Sequence, residues 1–274
     1  MSYHRFKLLI TCVFSAFSIA SWSQDIIVVQ PINIGAAGIL TVNATDGIAS
    51  INPAMMSAAK GFSIEVGHTI PYALKELSQT NAKVVVPTKL INIAGQVAIC
   101  GDETSRYTQF GGGFSRDFNH WALGLEYYGI IHKLTDDQKF TASFSRIGLH
   151  FYPNEKWLLS VALHNIERSQ FEYKYTKTDI EPAAFIGLKW KASGYFALML
   201  EAEKRFDHDP IGKVAAAIYP TKRFDLTVGF STRGQSLSAG IGYSIKGLAL
   251  HVAIMSHEQL GMTSGASIGY TFGE

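Results

Sequence analysis

The strictest constraint in this chain is the alternation of its last quarter, where Leu237, Ala239, Ile241, Tyr243 and Ile245 alternate with Ser236, Ser238, Gly240, Gly242 and Ser244. Successive side chains of a strand point to opposite faces, so this segment has one greasy face and one small, polar face. The pattern returns after a two-residue turn in Leu248, Leu250, Val252 and Ile254, and again in Ala266, Ile268, Tyr270 and Phe272. Repeated segments of about ten alternating residues, the last of them aromatic, predict a transmembrane β-barrel, whose strands face lipid on one side and the lumen on the other.

The start of the chain reads as a removable leader. His4, Arg5 and Lys7 precede an apolar stretch from Leu8 to Ala20, and Ser21, Trp22 and Ser23 supply a small-x-small cleavage site. Residues 1–23 are expected to be a secretory signal peptide, too short in its apolar core to span a bilayer. Beyond it only Cys100 remains of two cysteines, so no internal disulfide holds the exported chain. Losing Arg5 and Lys7 from 24 basic residues leaves 22 against 22 acidic ones, and a neutral chain has no field to attract nucleic acid. Charged residues are 17% of the sequence against about 25% in soluble domains, yet no apolar run after the leader is long enough for a spanning helix. A closed barrel reconciles the two, because it pairs every backbone N–H and C=O internally.

The alternation predicts an all-β fold: an antiparallel up-and-down barrel of about fourteen strands over residues 61–274, with residues 24–60 as a separate N-terminal segment. The strands are expected at 61–71, 76–87, 90–100, 106–115, 119–131, 139–151, 156–165, 182–191, 194–205, 211–219, 223–232, 235–246, 248–256 and 263–272. Apolar parity changes near Arg146 within residues 140–151, which predicts a bulge or a misplaced strand. With strand one running outward, the longer connections gather at the outer end and the short ones at the inner end. Trp121, Trp157, Trp190, Phe196, Phe224, Tyr243 and Phe272 then form an inner aromatic girdle on the lipid face.

The segment from Asp46 to Ala54, with its Asn52-Pro53-Ala54 motif followed by small residues and the first strand, resembles the N-terminal region of the long-chain fatty-acid transporter (FadL-like) superfamily of outer-membrane barrels. The fourteen-strand count and the closing Gly269-Tyr270-Thr271-Phe272 extend the resemblance over most of the exported chain. Its compact size and short turns look more like the PorV-like branch of the Bacteroidota, which includes shuttle components of type IX secretion. The resemblance implies that residues 24–60 fold into the barrel as a hatch, with Asn52 and Pro53 in a tight turn. Two features depart from the pattern: Gly273 and Glu274 follow the terminal aromatic, and the outer loops are short for capturing long acyl chains.

Among residues able to carry chemistry, Glu65, Glu126, Lys189, Lys191, Glu201 and Glu203 have the parity of the lumen. Lys189 and Lys191 are expected beside Glu201 and Glu203, in a ladder of opposite charges that closes the lumen or, in a wet channel, tunes ion preference. The connection 166–181 mixes charge with Phe171, Tyr173 and Tyr175, which suits a partner-binding rim as well as a solvated hairpin. Ser256, His257 and Glu258 are the one compact set resembling a hydrolase triad, but neighbours on a strand point to opposite sides. Asp207, His208 and Asp209 read as a polar turn before Pro210 rather than a metal site. No cofactor or metal motif is present, and an enzyme is not expected. The functional expectation is an outer-membrane barrel that binds or passes small hydrophobic molecules through its wall, in contact with outer-membrane lipid. The alternatives are a non-conducting accessory barrel that binds a secreted protein and, more remotely, an outer-membrane acyl hydrolase.

Overall fold

A computed structural model describes residues 23–24, 27–44, 47–48, 51–135, 138–173, 175–206 and 208–273. The expected leader, apart from Ser23, lies outside the described residues, as do Asp46 and Asp207.

Fourteen strands close into one antiparallel barrel in chain order: β1 Ser63–Ile70, β2 Gln79–Pro87, β3 Asn92–Gly101, β4 Ser105–Asp117, β5 Trp121–Leu134, β6 Lys139–Asn154, β7 Trp157–His164, β8 Ala183–Ser193, β9 Phe196–Arg205, β10 Ile211–Ile218, β11 Phe224–Ser231, β12 Ser236–Ile245, β13 Leu248–His257 and β14 Gly261–Thr271. Closure comes from β14 on β1, with a ladder running from Ser264 opposite Ile70 to Thr271 opposite Ser63. Each segment read from the sequence falls on one of these strands. Residues 165–182 form the longest connection, at the outer end, and 194–195 and 246–247 are tight inner turns.

The outward face is an apolar band. Leu237 is 63% exposed, Val252 60% and Ile186 62%, while their neighbours Ser238, Ala253 and Phe185 are buried. At the inner end the girdle forms cross-strand aromatic pairs: Trp157 stacks on Trp190 at 5.7 Å between ring centroids and Phe224 meets Tyr243 at 4.8 Å. An exposed band of this kind belongs against hydrocarbon rather than water.

Arg146 does not mark a bulge. β6 pairs with β5 without a break from Lys139 to Phe151, and Phe144, Arg146, Gly148 and His150 all face inward. Apolar parity switches because the inward residues of the outer half, Phe140 and Phe144, belong to an interior aromatic cluster, whereas lipid claims the apolar residues of the inner half. The ladder shifts instead at Phe151/Asn154, next to an inner turn.

The interior is filled by the N-terminal segment. Helix α1 (Pro31–Gly35) packs on β12, β13 and β14, and a 3-10 helix over Pro53–Ala58 packs on β4, β5 and β6. Ile34, Ile39, Val42, Ile51, Ala54 and Met56 are each at most 2% exposed. The small face of β12 is the seat for α1: a Cβ on Gly35 would stand 2.8 Å from the Gly240 Cα, an approach that only a glycine pair permits. Gly124 and Gly148 make the same room for Pro53 and Asn52.

Because Leu250 pairs with Tyr243 of the girdle while Val252 lies one outward position farther along β13, Val252→Arg is expected to destabilise the folded barrel by about 2–4 kcal/mol and Leu250→Arg by less. Ala249→Ser, on the buried face, should be mild. Unfolding titrations in detergent compare the three, and equal losses would show the register to be wrong.

Candidate functional site

The plug is held by polar anchors rather than by apolar packing alone. The first centres on Glu201 of β9. One carboxylate oxygen accepts from the backbone N–H of Leu40 at 2.9 Å, the N–H of Thr41 at 2.8 Å and the Thr41 hydroxyl at 2.7 Å. The other oxygen accepts from Lys213 Nζ at 2.9 Å, and Lys213 also donates to the Gly38 carbonyl at 2.6 Å. Lys213 then pairs with Glu203 at 2.6 Å, Glu203 with Arg205, and Arg205 with Glu181 at 3.3 Å. All five charged groups are buried, and such ions persist only when neutralised and hydrogen-bonded together.

The second anchor joins Thr41 and Asn52 of the plug to β6 and β7. The Thr41 carbonyl lies 3.1 Å from the donating Ser160 hydroxyl and 3.2 Å from His150 Nε2. Asn52 donates to Ser160 Oγ at 2.6 Å, while its side-chain oxygen accepts from Ala54 N–H at 2.9 Å. Asn52 is therefore the cap of the 3-10 helix that Pro53 begins, because proline suits a first helical position and gives up an N–H that would be orphaned there. The implied tight turn is in fact this cap, and Ala54 is fully buried behind it.

A third network crosses the lumen. Lys83 of β2 meets Glu126 of β5 at 2.7 Å, and Arg146 lies 3.9 Å from the same carboxylate. The Arg146 guanidinium stands over Tyr128 at 4.6 Å and Phe144 at 5.2 Å, and its Nε donates to His164 Nδ1 at 3.2 Å. Glu65, buried on β1, is the cross-strand neighbour of Lys83.

The expected ladder of Lys189 and Lys191 with Glu201 and Glu203 does not form. Gly187 and Phe185 stand opposite the two glutamates, whereas Lys189 and Lys191 stand opposite Met199 and Ala197, one to two turns of the pleat nearer the inner end. The partners of the glutamates are Lys213 and Arg205, whose inward parity was readable but whose register was not. At the outer end, Phe171 is fully buried rather than offered to a partner. The strands Gln170–Glu172 and Lys177–Ile180 form a hairpin that tucks Phe171 and Ile180 against Tyr128, Ile130 and Phe144. Tyr173 is half-buried with its hydroxyl 2.7 Å from His132 Nδ1, and Tyr175 alone of the three projects outward, 85% exposed. The hairpin folds inward because burying its aromatic face outweighs solvating a short polar loop.

No family model and no curated protein matches the sequence. Solved structures do. The toluene transporter TodX of Pseudomonas putida superposes with a TM-score of 0.65 at 10% identity, covering 92% of this chain and 98% of that one. A Pseudomonas aeruginosa FadL homologue gives 0.62 at 9% identity, covering 94% and 100%. The fold is that of the FadL-like barrels.

Within this barrel the candidate triad is not assembled. Ser256 bonds the Leu237 backbone at 3.2 Å, and His257 uses Nδ1 to accept from Gln259 and Leu260 N–H in the β13–β14 turn. His208 lies 3.3 Å from Glu181, and no group of three metal-ligating side chains occurs among the described residues.

Hydrogen bonds to a charged acceptor contribute about 1.5–3 kcal/mol, so Glu201→Gln should speed hydrogen exchange at Leu40 and Thr41 about tenfold or more while the β9 ladder stays protected. Exchange unchanged at both amides would show that the carboxylate is not what holds the plug.

Proposed function

We propose that the chain is an outer-membrane barrel that passes small hydrophobic molecules, with residues 24–60 as a hatch that occupies its lumen. The observation that carries this reading is the mode of attachment. The segment packs inside the barrel without entering the closed ladder of fourteen strands, held by polar contacts to β6, β7 and β9 and by buried apolar side chains, so it can be displaced with the wall intact. Likeness in fold to a toluene transporter supports the same reading. The aromatic girdle and apolar band support outer-membrane lipid as its surroundings, and residues 1–23 as the export leader are part of the proposal.

Passage through the wall requires more than the seated state provides. The ladders of β1 to β5 run without a register break, so a hydrophobic solute must wait for the hatch or the wall to move. A second reading draws on the same packing: a lumen this full suits a non-conducting accessory barrel of a secretion system, PorV-like in kind, which would meet a secreted protein at the outer rim around the exposed Tyr175.

Locking the hatch separates them. Ala37 N–H donates to the Ser238 hydroxyl at 2.9 Å, so cysteines at these positions are within bridging reach. In a Cys100→Ala background, cells carrying the Ala37→Cys/Ser238→Cys protein in their outer membrane should take up toluene faster than cells without the barrel only after reduction. Equal gains with the oxidised and reduced forms would remove the hatch from the path, and no gain with either form or with the unsubstituted protein would favour the accessory barrel.

A further inference from the structure

The inner mouth holds a cavity of about 930 Å³ that the plug does not fill. Its lining includes His120, Tyr152, Lys156, Lys189 and Lys191, and Glu155 is the one acid among the residues that line it. Lys189 and Lys191 share the inward parity of Phe185 and Gly187, with Trp190 between them turned out into the girdle. Lys189 is half-buried in the cavity and Lys191 is exposed at its mouth. Among the described residues no carboxylate lies within ion-pair distance of either ammonium. Asp225, the acid whose field reaches Lys189, stands instead 3.9 Å from His251.

This is unlike the rest of the interior, where Lys83, Lys213, Arg146 and Arg205 are each matched by a carboxylate. Two like charges two residues apart on one face repel, and a concave wall of low polarity focuses their field into the space they share. We propose that the inner mouth is a binding site for an organic anion of small-molecule size, whose acid groups are held by Lys189 and Lys191 while Tyr152 and Leu158 flank its body. The volume is within the range of about 300–1,000 Å³ that encloses such ligands. Charge-assisted hydrogen bonds to two ammonium groups supply the selectivity for acid over neutral compounds. The site lies nearer the mouth than the plug's anchors to Glu201 and Ser160, and Leu158 also packs on the cluster that holds Ala36, Ile39 and Val42 of the plug, so the pocket is that of the seated state.

The test uses the full chain in nanodiscs of zwitterionic lipid, titrated calorimetrically with naphthalenedisulfonate, an aromatic dianion too charged to enter the bilayer. Saturable single-site binding is expected, weakened about tenfold or more by Lys189→Gln/Lys191→Gln and unchanged by Lys75→Gln at the opposite end. An affinity that the double substitution leaves intact, or no saturable binding at all, overturns the proposal. Should the double variant fail to assemble, the unsubstituted protein still decides. Binding must weaken from low to high salt, and the neutral naphthalenediol must bind far less well; salt-independent binding or equal affinity for the diol would make the cavity merely apolar.

Discussion

Everything in this molecule depends on the backbone ladder between β14 and β1. A sheet bordered by hydrocarbon has no water to satisfy an open edge, so the hydrogen bonds from Ser264 opposite Ile70 to Thr271 opposite Ser63 turn fourteen strands into one closed structure. Closure also creates an inside, and with it the demand that the small, polar faces of the strands meet something. In an empty pore that would be water. Here much of it is protein, because the wall offers Gly240, Gly124 and Gly148 where α1, Pro53 and Asn52 come closest.

Burying a chain segment within a barrel raises an accounting problem, since beyond Gln24, which pairs with Ile180 of the outer hairpin, few of its N–H and C=O groups join a sheet. The structure answers with side chains. Glu201 takes two consecutive N–H groups, Lys213, Ser160 and His150 stand at plug carbonyls, and Asn33 spans the plug internally by donating to the carbonyls of Ile39 at 2.6 Å and Asn43 at 3.0 Å. Charged wall residues are thus attachment points as well as partners for one another. The energetic consequence is a segment held by strong, local polar contacts as well as by buried apolar side chains such as Ile34, Ile39 and Met56.

The two mouths differ. At the outer one, the hairpin carrying Phe171 closes over the half formed by β4 to β6, with Tyr107 stacked on His132 at 3.9 Å beneath it. At the inner one, short turns leave a cavity in which lysines face space rather than carboxylates. Contents held from above and a charged vestibule below give the barrel a polarity along its axis that its strand pattern does not have.

What the sequence determined by itself was whatever repeats at short range. Alternation between Leu237 and Ile245 and its echoes fixed the strand count, the lipid face and the girdle of Trp157, Trp190 and Phe224, because side-chain direction in a strand depends only on residue number. Inward parity likewise marked Glu126, Glu201 and Glu203. The tertiary structure decided the rest. Which cation meets Glu201 is set by strand-to-strand register, and Lys213 wins over Lys189 because β10 brings it level with the glutamate while β8 does not. Where Phe171 points, and why apolar parity switches along β6, follow from an interior that is aromatic at one end only. The position of Asn52 depends on glycines far along the chain, at 124 and 148, and contacts between such distant residues leave no period in a sequence to read.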